Sequence, residues 1–268
     1  MFSNRQGGLE QIPPVVRSIL IINIVVFLLQ QMGGDFAENY FALHYWGSPL
    51  FHWWQLFTHL FMHASVMHIF FNMFALVMFG RVLEEVMGAK RFLAFYLICG
   101  LGAAFCHLSV LTWQFIQLND AFLYYQEHPT IQQFAQILQK GKMTDPAFSS
   151  ILQYWSDHPD CSDCAQVSML RINEYYNILT SVPTVGASGA VYGLLFGFGF
   201  LFPNAELMLL FPPIPVKAKW MVAVYAIIEL SMGLKNSVDD NIAHFAHLGG
   251  MIFAFLLLKL WRVRRHYW

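Results

Sequence analysis

The chain has 268 residues, of which 57% are hydrophobic and 12% are charged, and its mean hydropathy is +0.49. Because a soluble domain carries about 25% charged residues, this composition excludes an ordinary soluble domain and indicates a polytopic membrane protein. The formal net charge of −1 is no sign of nucleic-acid binding, and we expect no nucleic-acid partner. Four cysteines are too few for a disulfide framework.

Six apolar segments are candidates for crossing a bilayer, which takes about 20 mostly apolar residues. The first is short, so it either gains length from residues 36–43 or lies in a thinned membrane. The fourth ends at Pro203-Asn204, a stop signal. No cleavage-site pattern follows the polar first eighteen residues, so we expect no removable signal peptide. The predicted spans are 18–32, 65–86, 92–113, 185–202, 218–234 and 242–261.

Lys and Arg residues predict the orientation of the spans, because they collect on the cytoplasmic side. If the N-terminus lies inside, eleven basic residues fall in inner segments and four in outer segments. This ratio predicts six spans with both termini inside, and it disfavours seven spans, which would leave one basic end outside. The inner residues are Arg5, Arg17, Arg81, Lys90, Arg91, Lys217, Lys219, Lys259, Arg262, Arg264 and Arg265, and the outer ones are Lys140, Lys142, Arg171 and Lys235.

The predicted fold is all-α: a six-transmembrane-helix bundle with a helical insertion outside the membrane between helices three and four. The loop between the first two spans is rich in Tyr and Trp, which prefer the headgroup level, so we expect it to lie partly in the outer interface. A plain aromatic belt is the alternative interpretation. The predicted parts are a cytoplasmic N-terminal segment (1–17), spans one to three (18–113) with a half-embedded loop (33–64), an extracytoplasmic insertion (114–182), spans four to six (183–262) and a basic cytoplasmic tail (263–268).

The insertion is polar but patterned. Apolar residues recur at helical spacing, as in Phe134, Ile137 and Leu138, and Asp145-Pro146 is typical of a helix start. We expect three or four short helices that serve as a partner or access element. Its pair Cys161 and Cys164 fits a redox motif, half of a zinc site or a local disulfide, and an oxidising outer compartment favours the disulfide. Cys99 and Cys106 are interpreted as packing residues.

Three polar motifs stand in the apolar segments. Gly186-Ala187-Ser188-Gly189 opens span four, His68 and Asn72 lie early in span two, and His247-Leu248-Gly249-Gly250 lies early in span six. Each is weak alone, because small residues are common where membrane helices pack and a single histidine is commonly a satisfied core residue. The three motifs become informative together, because each lies near the start of an apolar segment.

Spans two, four and six all run from outside to inside, so they are parallel. Ser188, His68 and His247 each lie roughly 5–8 Å along their helices at 1.5 Å per residue, at a similar depth in the outer leaflet. Polar groups in hydrocarbon must face inward, toward one another or toward water. Small residues every four positions, Gly189, Gly193 and Gly197 on span four and Gly250 and Ala254 on span six, allow close backbone approach.

These residues suit nucleophilic catalysis. A serine hydroxyl needs a base, and His247 can accept the proton of Ser188. The Ser188 backbone N–H, in the first turn of a helix, can stabilise an oxyanion together with His68 and Asn72. Tyr192, four residues after Ser188, can pack against an imidazole and orient it.

The sequence shows no carboxylate placed to orient His247. We expect Asp239 and Asp240 to be solvated, and Glu229 to be a hydrogen-bonded structural acid. This predicts a Ser–His dyad rather than a triad.

With these residues assembled, the chain resembles the rhomboid intramembrane serine proteases across all six spans. The resemblance implies Ser188 as nucleophile and His247 as general base, with Tyr192 stacked on the His247 ring. It implies His68, Asn72 and the Ser188 amide as oxyanion stabilisers, with no cofactor and no metal. The motif glycines are Gly186, Gly189 and Gly250.

The resemblance also implies structural roles for His59 and His63 in the first loop and an acid, Glu84, at the inner end of span two. Two features depart from the family: Trp54-Gln55 replaces a Trp-Arg pair, and the insertion is far longer than in compact bacterial members. The implied partners are transmembrane protein substrates and the lipid bilayer. Six spans without an extra terminal helix resemble the basic prokaryotic form of the family, so we expect the inner membrane of a bacterium. The oligomeric state is left open.

Two other functions compete with the protease. A non-catalytic relative would bind membrane proteins and sort or dislocate them, but such relatives usually lack the serine or the histidine, and both are present. A transporter would show inverted repeats and paired broken helices, and we find neither.

Overall fold

The computed structural model of the chain describes residues 12–141, 143–208, 214–235 and 241–266. The predictions for Arg5, Lys142, Asp239 and Asp240 fall outside these residues. The all-α prediction is confirmed. The helices are α1 (Pro14–Phe41), α2 (Gln55–Thr58), α3 (Val66–Ala75), α4 (Arg81–Met87), α5 (Ala89–Glu127), α6 (Ile131–Lys140), α7 (Pro146–Asp157), α8 (Cys164–Thr180), α9 (Ser188–Leu201), α10 (Ala218–Lys235) and α11 (Asn241–Leu260). A π-helical stretch, Leu76–Gly80, joins α3 to α4, and two short antiparallel strands, β1 (Glu206–Met208) and β2 (Pro215–Lys217), precede α10.

Within the residues that the structure describes, three helical segments are long and apolar enough to cross a bilayer: Pro14–Phe41, Val66–Met87 and Ala89–Glu127. Two shorter apolar helices, Ser188–Leu201 and His244–Leu260, lie in the second half of the chain. Large apolar side chains are exposed along α1 and α10, which a lipid-facing surface requires and a water-facing surface would not tolerate. They include Ile22, Leu28, Leu29, Trp220, Ile227 and Ile228. The fold is therefore that of a polytopic membrane protein.

Two helices extend beyond the predicted spans, and each extension has a physical reason. The first span was predicted over 18–32, with residues 36–43 as one source of extra length, and α1 does continue to Phe41 across a break at Gly34, whose φ of 50° and ψ of −136° suit glycine. The third was expected to end at residue 113, but α5 continues to Glu127 and stops shortly before Pro129. Hydropathy marks where an apolar stretch ends, whereas the helix ends only where the backbone is interrupted.

The contacts divide the chain into two compact units. One unit comprises Met1–Leu43, His52–Leu108 and Pro183–Trp268, and the other comprises His44–Phe51 and Ser109–Val182. The second unit has an apolar core of its own, so the insertion is an organised helical body. That core includes Leu118, Tyr125, Phe134, Phe148, Trp155 and Ile172.

Within the second unit, the predicted helix start at Asp145-Pro146 is confirmed. The Asp145 carboxylate accepts a hydrogen bond of 2.8 Å from the Ala147 backbone N–H, and Pro146 occupies the first turn of α7. Arg171 of α8 contacts the other Asp145 oxygen at 2.8 Å and Glu174 at 2.7 Å. Cys161 and Cys164, the first residue of α8, form a disulfide.

In the first unit, Glu84 caps α1. Its two carboxylate oxygens accept hydrogen bonds from the backbone N–H groups of Val15 at 3.0 Å and Val16 at 2.8 Å. First-turn N–H groups have no partner within their own helix, so this buried acid satisfies two of them. Glu84 therefore fastens α4 to the start of α1.

The Asp145 cap predicts a pH-dependent stability in the second unit. The Ala147 N–H, aided by Arg171, lowers the pKa of the Asp145 carboxyl. A lowered pKa in the folded state gives stabilisation that is complete above the unfolded value of about 3.9 and is lost as pH falls through the folded pKa. Asp145→Asn keeps a capping oxygen but removes the charge, so it should speed hydrogen exchange of the first α7 amides at pH 7, with a smaller effect at pH 3. The control is Asp160→Asn, an exposed acid outside the helices. A difference that is the same at both pH values would contradict the role of the charge.

Candidate active site

The loop that carries Ser188 is anchored before α9 begins. Thr184 and Leu43 exchange two backbone hydrogen bonds of 2.9 and 2.8 Å. The Thr184 hydroxyl also lies 2.8 Å from Nε2 of His107, a buried residue of α5. These three contacts of Thr184 fix the position of the chain four residues before Ser188.

Gly186 lets this loop pass against a histidine ring. Its φ is 127°, in the region that favours glycine, and its N–H donates a 2.9 Å hydrogen bond to the carbonyl oxygen of His59. A Cβ added at residue 186 would lie 2.8 Å from Cε1 of the His68 ring. The glycine therefore allows His68 to lie directly beside the loop that leads into Ser188.

Ser188 is the first residue of α9 and contacts His247 of α11. Its Oγ lies 3.0 Å from the His247 Nε2, within hydrogen-bond distance. The Tyr192 ring stacks on the His247 ring with centroids 4.1 Å apart and planes 9° apart. The backbone N–H groups of the first turn, including that of Ser188, have no partner within the helix and are available to a negatively charged oxygen.

Glu229 of α10 is the site residue that sequence reasoning missed. Its Oε2 lies 3.1 Å from the His247 Nδ1 and 2.6 Å from the His244 Nδ1, and its Oε1 accepts a hydrogen bond from the Tyr192 hydroxyl. The expectation that no carboxylate lies beside His247 is therefore wrong. Glu229 does have the hydrogen-bonded role expected of it, but its partners include the catalytic candidates.

A sequence signal for Glu229 existed. An ionisable residue inside a transmembrane segment is a functional candidate by default. Residue 229 lies five positions before residue 234, the predicted outer end of span five, or roughly 8 Å at 1.5 Å per residue. That is the depth at which Ser188 and His247 were predicted. His244 lies three positions before His247, on the same helix face, and could have been found in the same way.

His68 and Asn72 occupy α3 as predicted. The His68 Nδ1 accepts a 3.3 Å hydrogen bond from the Ala64 N–H, which leaves the proton of a neutral ring on Nε2, the atom that lies beside Gly186. The Asn72 side-chain amide donates to the His68 carbonyl oxygen at 3.1 Å. The structure thus brings His68 to the serine loop, whereas the recorded partner of Asn72 belongs to its own helix.

Glu229, His244 and His247 form a group whose ligand-type atoms lie within 4.8 Å of one another, so a metal ion must be considered. Two ligands of a tetrahedral zinc ion stand about 3.3 Å apart, given bonds of about 2.0–2.1 Å. The separations from Glu229 Oε2 to the two Nδ1 atoms are 2.6 and 3.1 Å, which are hydrogen-bond lengths. The geometry fits a shared proton network better than a metal centre.

Comparison with known proteins agrees with this fold. Residues 50–116 and 148–263 match the rhomboid domain, which is more than half of the chain. The chain is an integral membrane protein of the multi-helix type, and it belongs to the rhomboid family.

Individual relatives are distant and cover the chain unevenly. An uncharacterized mitochondrial rhomboid protein of Schizosaccharomyces pombe is 26% identical over 87% of this chain and 59% of its own length. The rhomboid protease GlpG of Klebsiella pneumoniae is 36% identical over 34% of each chain. GlpG of Pectobacterium atrosepticum is 30% identical over 37% of this chain and 36% of its own. The matches thus span about 59% of the first relative and about a third of the bacterial ones.

Glycine packing sets the distance between α9 and α11. A Cβ at Gly250 would overlap the backbone carbonyl oxygen of Gly189, so at least one of the two backbones would have to move. A Cβ at Gly193 would lie 3.2 Å from the Gly250 carbonyl oxygen. The contact between Ser188 and His247 therefore depends on two helices that touch through backbone atoms.

Gly250→Ala should separate α9 from α11 and abolish any activity that needs Ser188 and His247 together. Gly197→Ala is the matched control on α9, because its Cβ would meet only the ends of the Phe95 and Leu83 side chains, at 3.0 and 3.4 Å. Cleavage of a transmembrane substrate by the two purified variants is the measurement. Wild-type activity in Gly250→Ala would show that this approach does not position the site.

Proposed function

We propose that the chain is an intramembrane serine endopeptidase in which Ser188 is the nucleophile and His247 the general base. The observation that carries the proposal is the 3.0 Å contact between the Ser188 Oγ and the His247 Nε2. The stacked Tyr192 ring supports it, because it restricts the imidazole to the orientation that faces the serine. The rhomboid proteases among its relatives support the same reaction class.

In the proposed reaction, Ser188 Oγ attacks the carbonyl carbon of a peptide bond while His247 Nε2 takes its proton. The carbonyl oxygen becomes an oxyanion, faced by the Ser188 backbone N–H and the Nε2–H of His68. His247 then gives the proton to the leaving amine, and an acyl-enzyme remains. Water attacks this ester with His247 again as base, which frees Ser188 and completes hydrolysis.

The proposed substrates are transmembrane proteins that unwind locally. Backbone carbonyls of a regular helix in lipid are already hydrogen-bonded and shielded, so a scissile bond must leave the helix before Ser188 can reach it. The bilayer limits approach to segments that enter from the membrane side.

The proposed orientation places both termini in the cytoplasm and opens the site to the outer side, in the inner membrane of a bacterium. The excess of Lys and Arg in the predicted inner segments supports it. The Cys161–Cys164 disulfide supports an oxidising compartment for the insertion.

Ser188→Ala should abolish cleavage of a single-span substrate by the purified protein in lipid, because no other group replaces the attacking oxygen. The measurement compares product formation by wild type and variant at equal folded concentration. Ser231→Ala, which removes an exposed hydroxyl bonded to its own helix, is the control and should cleave normally. Cleavage by Ser188→Ala would remove Ser188 from the mechanism. A wild type that binds the substrate but never cleaves it would favour the non-catalytic sorting function.

His68→Ala should lower kcat by about 10²–10³-fold with little change in KM, the cost of losing one oxyanion donor. The reason is that the donor acts on charge that develops only in the transition state, not on the bound substrate. Steady-state kinetics with a transmembrane substrate give both constants. An unchanged kcat would show that the Nε2–H of His68 does not reach the oxyanion.

A further inference from the structure

Glu229 is a buried acid of α10 whose Oε2 lies 3.1 Å from the His247 Nδ1. We propose that Glu229 is a positioning residue that completes a Ser188–His247–Glu229 triad by holding the Nδ1 side of His247. This inference rests on the proposed function, and it goes beyond the Ser–His dyad that the sequence predicts. It is carried by contacts from three helices that converge on a single side chain.

The His247 ring stands between the nucleophile and the carboxylate. Its Nε2 lies 3.0 Å from the Ser188 Oγ, and its Nδ1 lies 3.1 Å from the Glu229 Oε2. The Nδ1 is buried and has no hydrogen bond of regular angle in the part of the chain that the structure describes. Glu229 is therefore the nearby acceptor for a proton on Nδ1. The Nδ1–Oε2 distance is short, but the angle departs from that of a regular hydrogen bond. Catalytic hydrogen bonds are often poorly aligned before substrate binds and tighten in the complex.

A carboxylate in this position selects the tautomer that catalysis needs. Nε2 can accept the Ser188 proton only if the ring proton sits on Nδ1. Glu229 favours that tautomer because an ionised carboxylate accepts hydrogen bonds and cannot donate them. During attack, the serine proton moves to Nε2, the Nδ1 proton stays on the ring, and Glu229 stabilises the imidazolium without taking a proton.

The carboxylate itself is held from both sides. Glu229 is 4% exposed, and an ionised acid in that setting needs donors for its oxygens. The Tyr192 hydroxyl donates to Oε1, and the His244 Nδ1–H donates to Oε2 at 2.6 Å. Tyr192 therefore acts twice, since its ring stacks on His247 while its hydroxyl fixes the group that faces the His247 Nδ1.

Glu229 could instead serve only to fasten α10 to α9 and α11 through Tyr192 and His244. The two roles differ in what they change. A fastening residue alters the stability of the fold, whereas a positioning residue alters the chemical step in molecules that remain folded. Glu84 offers the matched comparison, because it is also a buried glutamate that ties helices together, through Val15 and Val16, and it does not contact His247.

The test compares Glu229→Gln with Glu84→Gln in the full chain reconstituted in lipid. Both remove one buried negative charge and keep the side-chain shape. We expect Glu84→Gln to lower the thermal midpoint and leave kcat per folded molecule unchanged. We expect Glu229→Gln to lower kcat per folded molecule by about 10²–10⁴-fold with KM nearly unchanged, as loss of a triad carboxylate does. A kcat per folded molecule equal to that of Glu84→Gln would overturn the proposal.

Tyr192→Phe gives an intermediate case, because it keeps the stacked ring and removes one donor to Glu229. A kcat below wild type and above Glu229→Gln supports the positioning role, and a kcat at the wild-type value counts against it. The assay is repeated with EDTA and then with added zinc. Activity that EDTA leaves intact supports the proton network, whereas activity lost to EDTA and restored by zinc would replace it with a metal site.

A measurement on the unmutated protein covers the case in which Glu229→Gln does not fold. In protein with nitrogen-15 histidine, a proton held between His247 Nδ1 and a carboxylate gives a strongly deshielded resonance that His247→Gln removes. A His247 ring that carries its proton on Nε2 would overturn the inference. Failure of the proposed function has a different signature, since the wild type then shows no Ser188-dependent cleavage, whereas failure of this inference leaves that cleavage intact in Glu229→Gln.

Discussion

A charged side chain inside a bilayer must find its hydrogen-bond donors within the protein, and that constraint organises this site. Glu229 on α10 takes donors from Tyr192 on α9 and His244 on α11, and it approaches the Nδ1 of His247. Three helices are thereby held around one carboxylate. In water such contacts would compete with solvent, but in a membrane interior the alternative is an unsatisfied charge, so the arrangement is strongly preferred. The Ser188–His247 contact lies at the edge of this cluster.

Backbone packing and loop contacts also fix the distance between Ser188 and His247. Gly250 and Gly189 let α11 and α9 meet through backbone atoms, and the loop before Ser188 is tied by Thr184 and Gly186 to other parts of the same unit. A hydroxyl and an imidazole on separate helices stay within hydrogen-bond reach only if the helices cannot slide or separate. Backbone contact between glycines resists separation, and the loop ties resist sliding. The distance between Ser188 and His247 therefore depends on residues outside the Ser188–His247 pair.

The fold and the meeting of Ser188 with His247 could be predicted from the sequence. In a membrane protein, the depth of a residue follows from its position along the predicted span. Parallel spans, a rise of about 1.5 Å per residue and inward-facing polar groups were enough to bring Ser188 toward His247. Apolar length predicts the membrane span within α5 but not the end of the helix, for which Pro129 is the better signal. Glu229 was missed because it was judged alone, although its depth on span five matched that of the serine. The ties of Thr184 to Leu43 and His107 join residues far apart in the chain, and no local pattern encodes them.

A crystal structure of the protein after reaction with a fluorophosphonate in lipid tests the central claim most directly. The account predicts phosphorus bonded to the Ser188 Oγ, the phosphoryl oxygen facing the Ser188 N–H and His68, and the His247 ring between the adduct and the Glu229 carboxylate. An unmodified Ser188, or Ser188 and His247 set apart with lipid between them, would contradict it.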